Sequence, residues 1–136
     1  MSMLDKLKVG MAAETHIIVA REMTIGHFVV GMPLVYATPV MVLHMEMAAG
    51  SAIASALPEG FVSVGMAISV RHLAATAVGH KVRAIAEVTG MDERSVFFRI
   101  EAWNGERRIG GGTHRRGVVN LREFEQRFGV REGALA

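Results

Sequence analysis

Between residues 62 and 70, apolar side chains fall on every second position: Val62, Val64, Met66, Ile68 and Val70, with Ser63, Gly65, Ala67 and Ser69 between them. This period of two predicts a half-buried strand, and His72 continues its apolar side beyond Arg71. Residues 80–90 repeat the pattern, with Val82, Ala84, Ala86 and Val88 on one side and Lys81, Arg83 and Glu87 on the other. Residues 91–94 read as a turn and residues 95–103 as a third strand. Asn104-Gly105 is a hairpin signal. Residues 107–119 read as a fourth strand, loosened by Gly110, Gly111 and Gly112. Leu121, Phe124 and Phe128 mark a short amphipathic helix over 121–128. Upstream, residues 1–13 read as an irregular lead-in and residues 15–20 as a first strand. Residues 23–30 read as an extended piece or a loop.

One long stretch has no alternation. Residues 39–57 carry a single formal charge, Glu46, and His44 is the only other titratable group there. A segment this apolar on every face reads as a buried helix. Thr38 is a preferred cap and Pro39 fits the first helical position, where its missing N–H costs nothing. Pro58 and Gly60 stop the helix after about Leu57. The run is long enough to raise a membrane span. A carboxylate in mid-run, an opening proline and the lack of basic flanks argue instead for a core helix. A strand, a long helix and then four successive strands predict an α+β domain with an antiparallel sheet. One helix covers only one face, so dimerisation is expected. No repeat, low-complexity segment or linker divides residues 1–136, which predicts a single domain.

Composition narrows the function classes. The chain has 136 residues, 51% of them hydrophobic, enough for one sizeable core. Fifteen basic and 13 acidic residues leave a net charge of +2, too weak and too dispersed to argue for nucleic acid. There is no cysteine, which excludes disulfides, thiolate metal sites and a thiol nucleophile. This fits a cytoplasmic protein, as does an N-terminus without the long apolar core of a secretory signal.

Three residues could carry chemistry together. Thr38 opens the apolar helix. Glu46 lies eight residues on, a little over two turns later. His72 ends the apolar side of the following strand, and packing the helix on that side would bring Glu46 near it. A desolvated carboxylate beside an imidazole makes an acid–base unit. A threonine hydroxyl at a helix N-terminus can bind or attack a carbonyl. Each also has a plain structural account: a cap, a buried acid bonded to backbone, a strand-end histidine. His16, His27, His44, His80 and His114 show no metal spacing, so no metal site is expected. The glycine triplet lacks a following Lys-Ser/Thr and lies between strands, so a closely approached strand explains it better than a phosphate loop. Arg115 and Arg116 point to opposite faces of their strand, so one can face a cleft and hold an anion.

Tyr36-Ala37-Thr38, Met45-Glu46, the run GMAISVRHLAAT from Gly65 to Thr76, and GGGTHRR from Gly110 to Arg116 stand in a specific order and spacing. With these, the chain resembles the hotdog-fold acyl-CoA thioesterases, in the fluoroacetyl-CoA thioesterase-like branch, from about Val9 to Phe124. The resemblance implies a long helix wrapped by a curved antiparallel sheet. It also implies a homodimer, with sites at the dimer interface, and leaves open the pairing of two dimers into a tetramer. The implied activity is hydrolysis of an acyl-CoA thioester, with no cofactor. Thr38, Glu46 and His72 take the catalytic positions, Gly65 lines the carbonyl site and Arg116 joins the substrate site. Residues 25–35, which help cover the acyl pocket in this branch, look shorter and less aromatic than in the fluoroacetyl-selective member, so that selectivity is not implied. The alternative on the same fold is an acyl-CoA-binding protein without turnover. The Asp/His motif of hotdog hydratases is not found.

Overall fold

The computed structural model of the protein describes residues 4–129. Five strands, β1 (Ala12–Ile18), β2 (Phe61–His72), β3 (Lys81–Met91), β4 (Ser95–Asn104) and β5 (Arg107–Asn120), form one antiparallel sheet in the order β1-β3-β4-β5-β2. Helices α1 (Ile25–Phe28), α2 (Thr38–Ile53) and α3 (Leu121–Phe128) complete the chain. The expected order and the α+β class are both observed. The edges differ in detail. β1 starts at Ala12, inside the expected lead-in, whose residues 1–3 lie outside the described residues. The segment read as extended or loop is a 3-10 turn, Arg21–Met23, followed by α1. The long helix ends at Ile53 and continues as a 3-10 turn, Ala54–Ala56. The β4–β5 turn is Gly105-Glu106, one residue later than the Asn-Gly signal, because Asn104 pairs with Arg107. Gly105 takes the left-handed φ of 59° that a primed two-residue hairpin needs.

α2 lies across the sheet. Met41, Met45, Ala48, Ala49 and Ile53 pack with Val82, Ala84, Ala86, Val88, Val96, Phe98 and Ile100 in one core. The small residues of α2 and the glycines of β5 let helix and sheet approach closely. A Cβ added at Gly110 would lie 2.6 Å from Met41 Sδ. The glycine triplet is therefore a closely approached strand. The other side of α2 is uncovered in the chain: Leu43 is 53% and Met47 50% exposed. The expectation of burial on every face is corrected here, since a single sheet reaches only one side of the helix. Among the described residues no helix is long and apolar enough to cross a membrane.

β2 is an edge strand, and residues 65–69 in its middle are exposed. Its register against β5 shifts between Gly65 and Ala67, so Met66 is an extra, unpaired residue. Such a bulge reverses which alternate positions face the helix. Gly65 and His72, seven apart, would point to opposite faces of a regular strand. The bulge puts both on the side of α2.

Candidate active site

Thr38 does not cap the helix, as its sequence position suggests. Ala37 takes the cap position, its carbonyl accepting from the Val40 and Met41 amides, and Thr38 is the first helical residue. Its hydroxyl is thus free of capping and lies 2.8 Å from His72 Nδ1. β2 delivers His72 to this point, paired opposite Gly110. Burial pushes the His72 imidazole below its usual pKa, the Ala74 backbone opposing it. Neutral imidazole is therefore the form at physiological pH, and Nδ1 can accept the threonine proton. Nε2 is buried and completes no hydrogen bond among the described residues. A cleft of about 530 Å³ opens beside the pair, walled by Ile25, Val35, Pro39, Leu73 and Ala74.

Glu46 belongs to a second cluster. Its Oε2 is 3.6 Å from Arg116 Nη1, and its side chain is 36% exposed against 11% for Arg116. It also fills the space beside Gly65, where an added Cβ would lie 2.6 Å from Oε2. Arg116 is clamped: Nε donates to Ser63 Oγ at 2.9 Å, Nη2 to the Ser63 carbonyl at 2.9 Å, and Nη1 to His114 Nε2 at 3.2 Å. His114 Nδ1 donates to the Ala67 carbonyl at 2.9 Å, which leaves Nε2 as the acceptor. Burial holds His114 below its usual pKa. The sequence reading missed His114 and Ser63. His114 stands two residues from Arg116, hence on the same strand face, and that spacing was the available signal. Arg115 takes the opposite face, donating to Ser95 Oγ at 3.0 Å and lying over the Phe97 ring.

A family model of fluoroacetyl-CoA-specific thioesterases matches residues 19–122. The chain belongs to this family. A curated relative, the fluoroacetyl-CoA thioesterase of Streptantibioticus cattleyicolor, is 36% identical over 128 residues, covering 90% of this chain and 92% of its own. A solved structure of a fluoroacetyl-CoA thioesterase is 35% identical with a TM-score of 0.86, over 91% of this chain and 96% of that one. A hot-dog-like protein from Thermanaerovibrio acidaminovorans, 24% identical, shares the fold at a TM-score of 0.85, over 94% of this chain and 95% of that one. The expected hotdog fold and thioesterase family are thereby established.

In this thioesterase-family chain the five expected site residues form two groups. Thr38 meets His72, while Glu46 meets Gly65 and Arg116. Eight residues of helix put Glu46 about 12 Å along the axis from Thr38. Among the described residues no hydrogen bond or ion pair joins Glu46 to His72, so the expected carboxylate–imidazole contact is not made within one chain. Nor is Glu46 a fully buried acid, since it is paired and open on the uncovered side of α2. Among the described residues no group of three or more His, Cys, Asp or Glu side chains converges as a metal site would require.

Proposed function

We propose that the protein hydrolyses an acyl-CoA thioester to free acid and CoA, at a site built from Thr38 and His72 of one chain and Glu46, Gly65 and Arg116 of a second copy. The observation that carries the chemistry is the Thr38 Oγ1–His72 Nδ1 hydrogen bond at 2.8 Å, beside an open cleft. A hydroxyl held by a neutral imidazole at a helix N-terminus is suited to proton transfer at a carbonyl. His72 takes the proton of the attacking hydroxyl, of water or of Thr38, as its oxygen bonds to the carbonyl carbon. The C–S bond then breaks and the CoA thiolate takes that proton back from the imidazolium. An acyl-Thr38, if formed, is released by water in a second round of the same steps.

Two features support the second copy. Leu43 and Met47 leave one side of α2 uncovered and apolar, and the middle of the edge strand β2, residues 65–69, is exposed and unpaired on its outer edge. A two-fold axis pairing β2 with its counterpart would run the strands antiparallel, carrying the Gly65 end of each towards the His72 end of the other. The carboxylate of Glu46, held by Arg116, would then face the thioester carbonyl from the opposite side. Gly65 has no side chain to cover its N–H, which can donate to the developing oxyanion.

The test is a thioester panel from acetyl to long-chain and aryl acyl groups, read by CoA release. The wild type is expected to hydrolyse at least one member. His72→Ala and Thr38→Ala are each expected to lose about 10²-fold or more in kcat. Full activity in both variants contradicts the assignment. CoA-thioester binding with no turnover across the panel supports the non-catalytic alternative.

A further inference from the structure

Behind the Thr38–His72 pair lies a second polar pair that the reaction above does not use. Tyr36 and His44 are 1% and 7% exposed, enclosed in an otherwise apolar core. The Tyr36 hydroxyl donates to His44 Nδ1, and the rings stack at 5.8 Å with planes 14° apart. Burial keeps the phenol protonated, its pKa pushed above the usual range, and keeps the imidazole neutral, its pKa below the usual range. Donor and acceptor are thus the stable forms.

Stability alone does not account for this pair. A buried hydrogen bond adds little net stability, and replacing both partners with apolar groups of the same shape can be nearly neutral. The surroundings suggest a different use. Tyr36 is two residues before Thr38, and its backbone is fixed by its amide donating to the Thr76 carbonyl at 2.8 Å. Its ring meets the His72 imidazole edge-on, with centroids 6.4 Å apart and planes at 86°. Few other groups set the tilt of His72: Nδ1 meets the Thr38 hydroxyl, the Ala74 backbone lies against the imidazole, and Nε2 is buried with no hydrogen-bond partner of good geometry among the described residues.

We propose that Tyr36 and His44 are positioning residues: His44 anchors the Tyr36 hydroxyl, and the anchored ring fixes the plane of His72 so that Nδ1 stays aimed at Thr38. The role of His72 in hydrolysis rests on the function proposed above, but the way it is held does not. Proton transfer is sensitive to such alignment, and a misplacement of about 1 Å can cost about 10²-fold in rate.

The test uses Tyr36→Phe, His44→Leu, His44→Asn and the Tyr36→Phe/His44→Leu double variant. Readouts are kcat and KM on the best thioester of the panel, the thermal midpoint, and the ring nitrogen signals of His72 in histidine-labelled protein. Tyr36→Phe and His44→Leu are expected to lose about tenfold in kcat with KM little changed, and to shift the His72 signals towards tautomer averaging. His44→Asn places an amide oxygen near the position of Nδ1, and is expected to retain most of kcat and the wild-type His72 signals. The double variant is expected to regain the wild-type thermal midpoint while kcat stays low, and it carries the test if a single variant fails to fold. Wild-type kcat and unchanged His72 signals in a folded Tyr36→Phe or double variant overturn the proposal. Failure of the thioesterase reading looks different: the wild type hydrolyses nothing, while the His72 signals still respond to the tyrosine.

Discussion

Gly65 and Glu46 depend on each other through space, because the carboxylate oxygen lies where a side chain at residue 65 would begin. Gly65→Ala is therefore expected to push Glu46 aside and crowd the proposed oxyanion donor. Steady-state kinetics should show kcat/KM falling by about 10²-fold, a loss of the size seen when one such donor is removed. The thermal midpoint should change little, since the Glu46 side chain is partly exposed and has room to turn aside. The histidines give a second prediction. His44, His72 and His114 all have folded-state pKa values held below the ordinary 6.5 by burial. Below that pH the unfolded chain binds more protons than the folded one, so unfolding free energy must fall as pH falls. Denaturant midpoints at pH 5 are expected to be clearly lower than at pH 7.5. The acid limb of kcat/KM, reporting His72 as base, should lie below pH 6.5. Thr38, Glu46 and His72 were visible in the sequence as chemistry-bearing types in unusual places. Ser63 and the buried partnership of Tyr36 with His44 were not, because side-chain pairing across elements leaves no periodic trace.

At the level of elements, the pairing of β2 with β5 sets where His72 sits. Gly112 is the tightest point of that pairing, since a Cβ there would overlap the Ser69 carbonyl of β2. Gly112→Ala is expected to cost about 1–3 kcal/mol, read as a lower denaturant midpoint, because a backbone atom cannot turn aside as a flexible side chain does. The strand and helix order was legible from period-two alternation and from the one long apolar run. The bulge at Met66 was not. Residues 62–70 alternate without a break, so the sequence reads as one regular strand with Gly65 and His72 on opposite faces. Only the pairing with β5 reveals the extra residue that brings them to the same side. Likewise, Thr38 has the residue type of a cap, yet Ala37 takes that position and leaves the threonine hydroxyl to His72.

On the scale of the whole molecule, a bare face of α2 and an unpaired β2 edge lie beside a site whose residues stand in two separate groups. Introducing a charge on that face, as in Met47→Asp, is expected to break the proposed dimer into monomers in light scattering and to abolish most turnover, although residue 47 has no part in the proposed chemistry. A monomeric variant with full activity would argue for a site within one chain. Mixing chains tests the shared site most directly. Glu46→Gln and His72→Ala chains, each inactive alone, are co-refolded or co-expressed at equal ratio. If each site draws Glu46 from one chain and His72 from the other, half of the dimers are mixed and each mixed dimer holds one intact site. Activity should then return to about a quarter of the wild-type value per chain. No recovery, in a sample shown to contain mixed dimers, would contradict a site shared between two chains.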